Sequence, residues 1–590
     1  MQQIDNKPIY KVLYIDLSKK KFWIEIRQDL IKYIGGTGIA SKLLSEECPN
    51  SIDAFSPENP IIFAVGPLTG VYPLASKTVV MFKSPLTGNI GESHAGGRSA
   101  VSIRLAGYMA IVIRGVSDIP VYLSIHSDRV EFKNATTLWG MSSSMTAGKI
   151  IRENESGKGF RSIMRIGQAG ENLLYFASVT TDTYRHFGRL GLGAVFGSKK
   201  LKGIAVTGNK GIIMPDKKEF KKLYDEIYNK AVETSLMQKY HDLGTAGNVA
   251  VLNELNALPI KNLKESTNPE VKNITGEAFA EKYLGRRVAC SHCPVACIHL
   301  GTLREASEHE KYFYKTTMVG YDYELIFALG SMLGIFNPED ILKIIDLVEI
   351  YGMDAMSIGN ILSWLTEAYE NKIITENDTM GLIPEWGNVT TYMQLLDNIV
   401  KKTNEFYSDL AKGVYYASQK YGGKEYAMNF GKNEMPGYHS GPAAYLGFTL
   451  GTRHSHLDNA GYSIDQSDLI HEYIAPDKIV DSLIQEESFR QILSSLVICF
   501  FARGIYNKEI ILNALKTVGI SIDEKTLLQT GLEIYKMKYK FKFQEGFKFD
   551  INDIPERIFE TKDPTGLIKK EYISEALKYA DKKIKSMLKQ

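Results

Sequence analysis

The sequence of 590 residues contains little cysteine and no long apolar run. It has five cysteines, an odd number, and three of them fall close together at Cys290, Cys293 and Cys297. This distribution argues against a disulfide framework and favours a reducing compartment. No unbroken apolar run reaches about 18 residues, and the first residues contain no apolar signal-peptide core. We therefore expect a cytoplasmic protein that does not span a membrane.

The chain also lacks an excess of charge of either sign. It carries 70 basic and 68 acidic residues, so its net charge gives no electrostatic reason to expect nucleic acid as a partner. With 44% hydrophobic residues it can bury several cores, and its length suggests about three or four domains. No internal repeat or low-complexity tract is visible.

The pattern of the sequence divides the chain into a β-rich part and a mostly helical part. Up to about Gly208, β-branched and aromatic runs alternate with turns, as in the hairpin pattern at residues 11–26. Helical periodicity follows, with Asp216 and Glu219 as a capping pair, and with a second helix capped by Asn337 and stopped by Gly352. We predict an α+β protein with domains at residues 1–210, 211–428 and 429–590.

The cysteine spacing is the most specific local signal. Cys290, Cys293 and Cys297 have the x2 and x3 spacing that turns thiolates toward a common point, and Cys499 can supply a distant fourth ligand to an iron-sulfur cluster. Zinc accepts similar spacings, and His292 or His299 could complete a Cys3His site. Cys499 also lies in an apolar run, where a free cysteine is an ordinary core residue. The residues alone leave these three interpretations open.

Glycine clusters are the second unusual feature of the β-rich part. Backbone without side chains can approach a flat or phosphorylated ligand and donate amide hydrogen bonds to it. No cluster has the context of a Rossmann fingerprint, no Walker-type lysine motif is present, and each cluster taken alone is more typical of a tight turn. The clusters are Gly35-Gly36-Thr37-Gly38, Gly66 to Gly70, Ser84 to Gly88, His94 to Arg98, and Gly188 to Gly193.

In order along the chain, these segments resemble the aldehyde ferredoxin oxidoreductase family. The resemblance covers nearly the whole sequence and is more specific than any single motif. It rests on Tyr33-Ile-Gly-Gly-Thr-Gly, Gly66-Pro-Leu-Thr-Gly, Lys83-Ser-Pro-Leu-Thr-Gly, Leu105-Ala-Gly-Tyr-Met-Ala, Gly167-Gln-Ala-Gly-Glu-Asn, Gly188-Arg-Leu-Gly-Leu-Gly, the cysteine loop, Tyr323-Glu-Leu-Ile-Phe, Tyr351-Gly-Met-Asp, Gly451-Thr-Arg-His-Ser-His-Leu-Asp and the segment around Cys499.

The resemblance implies a fold and a set of cofactors. It implies an N-terminal domain of two β-sheets and two helical domains, with a tungsten bis-pterin cofactor at their junction. The metal would be bound by pterin sulfurs, so the sequence does not distinguish tungsten from molybdenum. The four matching thiolates, of Cys290, Cys293, Cys297 and Cys499, would hold a 4Fe-4S cluster. A magnesium ion bridging the pterin phosphates also fits this cofactor set.

The implied reaction is oxidation of an aldehyde to a carboxylic acid, with ferredoxin or a small iron-sulfur subunit as electron acceptor. A homodimer and a heteromer both stay open. The sequence has no histidine between His309 and His439, so we do not expect the iron-bridged dimer of some members. Two alternatives are a same-fold active-site subunit of an aromatic acyl-CoA reductase and a non-enzymatic zinc-binding interaction protein.

The resemblance also transfers cofactor-binding positions. Lys77 replaces an arginine that is frequent between cluster and pterin, which keeps the charge and loses the bidentate fork. Ser494 and Val497 stand where the second pterin motif has aspartate and glycine, and Glu349 stands in the first motif at a helix end, where a carboxylate needs a partner. The full set is Lys77, His94, Gly96, Gly97, Gly188, Arg189, Glu349, Met353, Asp354, Arg453, Ser455, Ser494 and Ile498.

Four further positions match groups that handle protons. Glu324 and its neighbour Asp322 are carboxylates that burial would turn into a general acid or base, and a histidine would orient the substrate oxygen. The register of the family motif leaves two histidines, His454 and His456, as candidates. Their alternative role is that of satisfied histidines at a domain boundary.

Overall fold

The computed structural model describes residues 3–4, 7–182, 184–212, 216–306, 312–469 and 472–589. Its β-rich part begins with a short pair of strands and continues through twelve strands. These are β1 (Gln3–Ile4), β2 (Lys7–Pro8), β3 (Lys11–Asp16), β4 (Lys21–Ile26), β5 (Ile61–Ala64), β6 (Thr78–Lys83), β7 (Ile90–Ala95), β8 (Ala110–Arg114), β9 (Val121–His126), β10 (Arg129–Asn134), β11 (Phe160–Arg165), β12 (Val179–Thr181), β13 (Arg185–Phe187) and β14 (Leu201–Gly208).

The twelve strands form two six-stranded sheets with the same topology. The first has the order β4-β3-β8-β5-β6-β7 and the second the order β10-β9-β14-β11-β12-β13. In the first sheet β3 and β8 are parallel neighbours, and in the second sheet β9 and β14 are. All other neighbouring strands in both sheets are antiparallel. The fold of the N-terminal domain is therefore duplicated, although no repeat is visible in the sequence.

Helices occupy equivalent places in the two halves. In the first half, α1 (Gly36–Glu47) and α2 (Ser99–Ala106) precede β5 and β8. In the second half, α3 (Ser144–Asn154) and α5 (Leu192–Ser198) precede β11 and β14, and the short α4 (Gln168–Glu171) is an addition. As a result, the glycine loops before α2 and before α5 occupy the same position in their respective halves.

The rest of the chain is mostly helical, with a three-stranded antiparallel sheet beside the cysteine loop. The sheet consists of β15 (Leu284–Val288), β16 (Ile298–Ala306) and β17 (Tyr314–Tyr321). Two short strands further along the chain, β18 (Asn429–Phe430) and β19 (Asn433–Glu434), pair with each other. The helices of this part of the chain are α6 (Lys217–Glu233), α7 (Ser235–Leu243), α8 (Asn248–Glu254), α9 (Gly276–Lys282), α10 (Tyr323–Leu329), α11 (Pro338–Tyr351), α12 (Ala355–Glu370), α13 (Val389–Lys401), α14 (Glu405–Leu410), α15 (Val414–Tyr421), α16 (Pro442–Leu450), α17 (His456–Asn459), α18 (Gly461–Ile464), α19 (Pro476–Ser495), α20 (Lys508–Thr517), α21 (Glu524–Gln544), α22 (Arg557–Glu560) and α23 (Lys570–Lys589).

Two large hydrophobic cores hold these elements together. One joins both sheets to α6 and to residues of α19, α20 and α21. The other joins the helices from α8 to α18 with α23 and reaches back to the loop before β12. The C-terminal third of the chain thus contributes to both cores. The expected α+β class, with two β-sheets followed by a mostly helical region, is confirmed, while the boundary near residue 428 stays a prediction.

Local sequence signals agree well with the observed elements. The predicted hairpin is β3–β4, with Leu13 paired to Ile24. Asp216 accepts two backbone N–H groups at the start of α6, and Asn337 does the same for α11. The inner face of α6 buries Leu223, Ile227 and Ala231, whereas Tyr228 is 42% exposed.

Among the described residues, no single helix is long and apolar enough to cross a membrane. Helix α10 with its short extension and helix α11 pass a test of length and composition only as a pair, and they are bent by 112° relative to each other.

Candidate active site

A cavity of about 350 Å³ lies where the N-terminal sheets meet the helical region. It brings together eleven of the predicted site residues. They are Lys77, His94, Gly96, Gly188, Arg189, Asp322, Glu324, Glu349, Met353, Asp354 and His456.

Glu324 and His456 lie close together in the lining of this cavity. The Nε2 atom of His456 lies 3.3 Å from Oε1 of Glu324. The backbone N–H of Gly437 donates to Oε2 of Glu324 at 3.3 Å. Oε1 of Glu324 and Nδ1 of His456 are buried and make no hydrogen bond within the described chain. Buried polar atoms usually have partners, so these two are suited to contact a ligand.

Burial sets the protonation of the pair. Burial, together with the negative charge of Asp322 as the smaller cause, raises the pKa of Glu324 to about 8. Burial also lowers the pKa of His456 well below its ordinary value, and nearby Arg189, Arg453 and Arg490 add to this effect. At neutral pH the carboxyl group is therefore mostly protonated and the imidazole is neutral. The two groups can hold or move one proton without a net charge in the cavity.

Two helix caps position these side chains. Asp322 is the N-cap of α10 and accepts the N–H of Leu325 at 3.2 Å, which fixes Glu324 in the first turn. Ser455 caps α17 in a capping box with Asp458, and His456 is the first residue of that helix. Caps of this kind stabilise a helix start by about 1 kcal/mol. The hydroxyl oxygen of Ser455 therefore accepts a hydrogen bond from the backbone of α17.

The second candidate histidine, His454, points away from the cavity. Its Nε2 atom lies 2.9 Å from Nζ of Lys542 and its Nδ1 atom 3.0 Å from the carbonyl oxygen of Phe448. The residue is 1% exposed, and its backbone has a φ of 55°, which is rare for residues other than glycine. Both ring nitrogens are occupied by protein groups, so His454 has the contacts of a structural histidine.

A second wall of the cavity is basic. Nε of Arg189 lies 3.2 Å from the carboxylate of Asp354, and its Nη2 donates to the carbonyl oxygen of Glu434 at 2.5 Å. Its Nη1 atom is buried without a hydrogen bond to the described protein. Asp354 also caps α12 and accepts the hydroxyl of Ser357 at 2.6 Å. Arg189 is therefore held by its neighbours with one guanidinium nitrogen left for a ligand such as phosphate.

Glu349 also lines the cavity, from the last turn of α11. A carboxylate there is disfavoured by the helix dipole. The expected partner is His186, whose Nε2 atom lies 3.5 Å from the carboxylate. Lys77 lies on the other side of the cavity, with its Nζ 5.0 Å from the centre of the Phe500 ring.

His94 connects the cavity to a buried ionic network. It shares a 2.7 Å hydrogen bond with Glu92, which also accepts the hydroxyl of Thr37 at 2.7 Å and pairs with Lys538. Burial lowers the pKa of His94 to about 4. Neutral His94 therefore bridges a charged interior pair and the cavity surface.

The four candidate cluster cysteines lie beside this cavity. The thiols of Cys290, Cys293, Cys297 and Cys499 are close enough to influence one another electrostatically. Within the described ranges, however, no group of three or more ligand side chains converges on a single metal ion.

The cysteine loop is anchored to the glycine loop of the first sheet. Ser291 N–H donates to the Gly97 carbonyl at 2.9 Å, and Gly97 has a φ of 97° that favours glycine. A Cβ at Gly96 would lie 2.7 Å from Sγ of Cys290. Cys499 N–H donates to the carbonyl oxygen of Leu74 at 2.9 Å, so both cysteine segments contact the N-terminal domain.

The remaining predicted cofactor residues lie outside the surface of this cavity. Arg453 is held by Asp458, with Nε 2.5 Å from the carboxylate. The Ser494 segment packs against the first glycine cluster, since a Cβ at Gly36 would lie 2.2 Å from the Ser494 carbonyl oxygen. The predicted positions outside the cavity lining are Gly97, Arg453, His454, Ser455, Ser494 and Ile498.

The cavity is also lined by residues that no sequence motif had selected. Arg185 is half-buried, and although burial lowers its pKa, the charges of Cys290 and Cys297 raise it overall. Aromatic rings form much of the wall: Tyr438 lies 5.0 Å from the ring of His456 and 4.5 Å from that of Tyr462. The only sequence feature that could have identified Arg185 as a cavity residue is its position four residues before Arg189, in a strand that leads into a glycine loop. No sequence feature identified the aromatic residues of the wall.

Comparison with known proteins matches nearly all of the sequence to one family. Residues 12–208 match the profile described as aldehyde ferredoxin oxidoreductase, N-terminal domain, and residues 221–590 match that of domains 2 and 3 of the same family. The chain is 33% identical over 554 residues to the tungsten-containing aldehyde ferredoxin oxidoreductase of Pyrococcus furiosus, covering 91% of this chain and 88% of the relative. It has the same identity to the corresponding enzyme of Thermococcus kodakarensis, with the same coverage.

Two further similarities carry different names. The WOR-like subunit of an aliphatic sulfonate oxidoreductase from Pyrococcus furiosus is 33% identical over 432 residues, covering 70% of this chain and 67% of the relative. The active-site complex BamBC of benzoyl coenzyme A reductase with 1,5-dienoyl-CoA superposes with a TM-score of 0.79. It is 23% identical and covers 98% of this chain and 99% of that one, which shows a shared fold.

Proposed function

This chain belongs to the aldehyde ferredoxin oxidoreductase family, and we propose that it oxidises an aldehyde to a carboxylic acid at a tungsten bis-pterin centre. The chain is an oxidoreductase of that family. The observation that carries the specific reaction is the buried pair of Glu324 and His456 in a cavity beside four cysteines. The balanced reaction takes an aldehyde and water to the acid, two electrons and two protons.

The residues around the cavity fit a bis-pterin cofactor with phosphate groups. Arg189 has a buried guanidinium nitrogen without a partner among the described residues, Lys77 and Arg185 supply further basic groups, and neutral His94 lines the same cavity. The carboxylates of Glu349 and Asp354 face the same cavity and suit the amine groups of a pterin ring. Molybdenum in place of tungsten stays open, and a magnesium ion between the phosphates belongs to the same proposal. When bound, the metal centre supplies the two-electron step and the cluster carries electrons away singly.

Glu324 and His456 would handle the proton and the orientation of the substrate. Above its pKa of about 8, Glu324 is a carboxylate that can take a proton from the attacking water. Neutral His456 can donate a hydrogen bond from one nitrogen to the substrate oxygen. The aromatic rings of Tyr438 and Tyr462 exclude bulk water from this end of the cavity and strengthen these interactions.

The electrons would leave through a 4Fe-4S cluster held by Cys290, Cys293, Cys297 and Cys499. The loop around the first three cysteines is partly exposed, and His292, between Cys290 and Cys293, is exposed. An acceptor such as ferredoxin or a small iron-sulfur subunit could therefore approach this loop. Relatives of this chain are named as a ferredoxin oxidoreductase and as a subunit of a larger enzyme, which is consistent with either acceptor.

The proposal is tested with protein purified under strictly anaerobic conditions. We expect elemental analysis to find tungsten or molybdenum with about four irons per chain, and we expect reduction of a viologen dye by aldehydes. A matched incubation with an aromatic acyl-CoA and a strong reductant tests the alternative, that the chain is the active-site subunit of an aromatic acyl-CoA reductase. A colourless protein that contains zinc and oxidises no aldehyde would refute the proposal and favour the zinc-binding alternative.

A further inference from the structure

Strand β4 forms the outer edge of the first sheet and exposes an unusual row of apolar side chains. Phe22 and Ile24 are each 36% exposed and Ile26 is 57% exposed. They lie on the same face as Leu13 and Ile15 of the neighbouring strand, both completely buried. An exposed apolar edge strand is a template for pairing with another strand unless it is protected.

The equivalent edge of the second sheet is protected. Strand β10 has the same place in the duplicated topology, but Val130 is only 8% exposed and Phe132 packs against the core. The charges of β10 are also used internally, since Lys133 pairs with Glu131 at 3.5 Å and with Glu155 at 2.8 Å. The two edges share one topology, so the exposure of β4 is a property of its own sequence.

The hydrogen bonds of the hairpin show which backbone groups of β4 are free. Arg27 N–H donates to the Tyr10 carbonyl at 2.8 Å, so residues at odd positions of β4 bond to β3. By the alternation of an antiparallel ladder, the N–H and C=O groups of Phe22, Ile24 and Ile26 point outward. The row that exposes apolar side chains therefore also presents the unpaired backbone groups.

We propose that β4 pairs with β4 of a second copy of this chain, so that the two first sheets join across a two-fold axis at Trp23. Antiparallel pairing through the outward groups allows a register in which Trp23 faces its copy. Lys21 then lies opposite Glu25 of the second chain on one face, and Phe22 lies opposite Ile24 on the other. Centring the axis on Ile24 also satisfies the outward groups, but it sets Lys21 opposite Arg27 with like charges.

The charges on β4 are free to make these contacts. Within the described chain Lys21 has no ion-pair partner, and Glu25 accepts only the indole N–H of Trp23, at 2.8 Å. Trp23 itself is held rigid, because its ring stacks on Tyr14 at 5.2 Å and lies under the guanidinium of Arg114. The edge is thus preorganised and carries one charge of each sign at positions that match when the strand meets its own copy.

Charge reversal tests both the pairing and its register. The oligomeric state of anaerobically purified full-length protein would be measured by sedimentation velocity over a wide range of concentrations. We expect a dimer that Lys21→Glu and Glu25→Lys each weaken by about tenfold or more, since two cross-strand pairs become repulsive. The double variant Lys21→Glu/Glu25→Lys restores opposite charges in that register and should restore the dimer.

A matched pair of isoleucine variants tests the apolar edge. Ile24→Lys should give a monomer, whereas Ile119→Lys, at an isoleucine that is 39% exposed outside the strands, should leave the dimer intact. Circular dichroism and thermal unfolding of each variant check that the fold is kept. A wild-type protein that stays monomeric, a dimer that survives Ile24→Lys, or equal dissociation by both variants would each overturn the proposal.

Discussion

The Nε2 atom of His456 lies 3.3 Å from the Oε1 atom of Glu324, although 132 positions separate the two residues in the sequence (456 − 324). Glu324 comes from the first turn of α10 and His456 from the first turn of α17. Burial favours the neutral form of both groups, so the pair is a compact proton donor and acceptor at the centre of the proposed active site.

The first prediction is that Glu324→Gln lowers the rate of aldehyde oxidation by about 10²- to 10⁴-fold, the usual contribution of a general acid or base. Glutamine keeps the size and the contact with Gly437 but cannot take up a proton. In the wild type, the rate should rise with pH and level off above about 8, because only the deprotonated carboxylate accepts a proton. The variant should lose this pH dependence while its tungsten and iron contents stay unchanged.

Asp322→Asn provides the matched control for this pH dependence. Asparagine is as good an N-cap as aspartate, so α10 should keep its start. Loss of the negative charge removes one cause of the raised pKa of Glu324, and the midpoint of the pH profile should move to lower pH. A Glu324→Gln enzyme with near wild-type activity across the pH range would reassign the proton transfer to another group.

The second prediction separates the two histidines. His456→Ala should lose most of the activity, since it removes the group beside Glu324 and leaves the metal content unchanged. His454→Gln should keep most of the activity, because that residue contacts Lys542 and Phe448 outside the cavity. Steady-state rates and melting temperatures of both variants would be compared. Equal loss of activity in two stable, metal-loaded variants would contradict the assignment.

The third prediction concerns the cluster ligands. Cys499→Ala should lose or degrade the iron-sulfur cluster, because it removes the only ligand outside the loop of the other three cysteines. Cys48→Ala should keep the full iron content, since Cys48 is buried in the core of the N-terminal domain and burial raises its pKa to about 11. Iron analysis and visible absorption of both proteins check this. The reverse sensitivity would refute the cluster assignment.

The fourth prediction compares the two pterin motifs. Glu349→Ala should reduce bound tungsten more than Ser494→Ala does, because Glu349 presents a charged acceptor in the cavity while Ser494 offers a neutral hydroxyl outside its lining. Metal content would be measured on anaerobically purified variants of equal thermal stability. Equal metal retention in the two variants would contradict the prediction that the Glu349 motif binds its pterin more strongly than the Ser494 motif does.

Much of this protein follows from local sequence. Alternation and turn residues identify the β3–β4 hairpin, capping residues identify the starts of α6 and α11, and the cysteine spacing marks a candidate metal-binding loop. These features depend on contacts within a few residues, so their physical causes are present in each short segment. The ordered motifs also identified the family, and the sequence comparisons confirm it.

The tertiary structure decided which side chains meet. His454 and His456 have similar local sequence, but Lys542, which is 88 positions from His454, occupies one of them and leaves the other to face Glu324. The role of Arg185 depends on its burial beside Cys290, and the two sheets share a topology that their sequences do not display. Burial and long-range contacts set protonation and orientation here. These causes arise only when distant segments pack together, so no short stretch of sequence contains them.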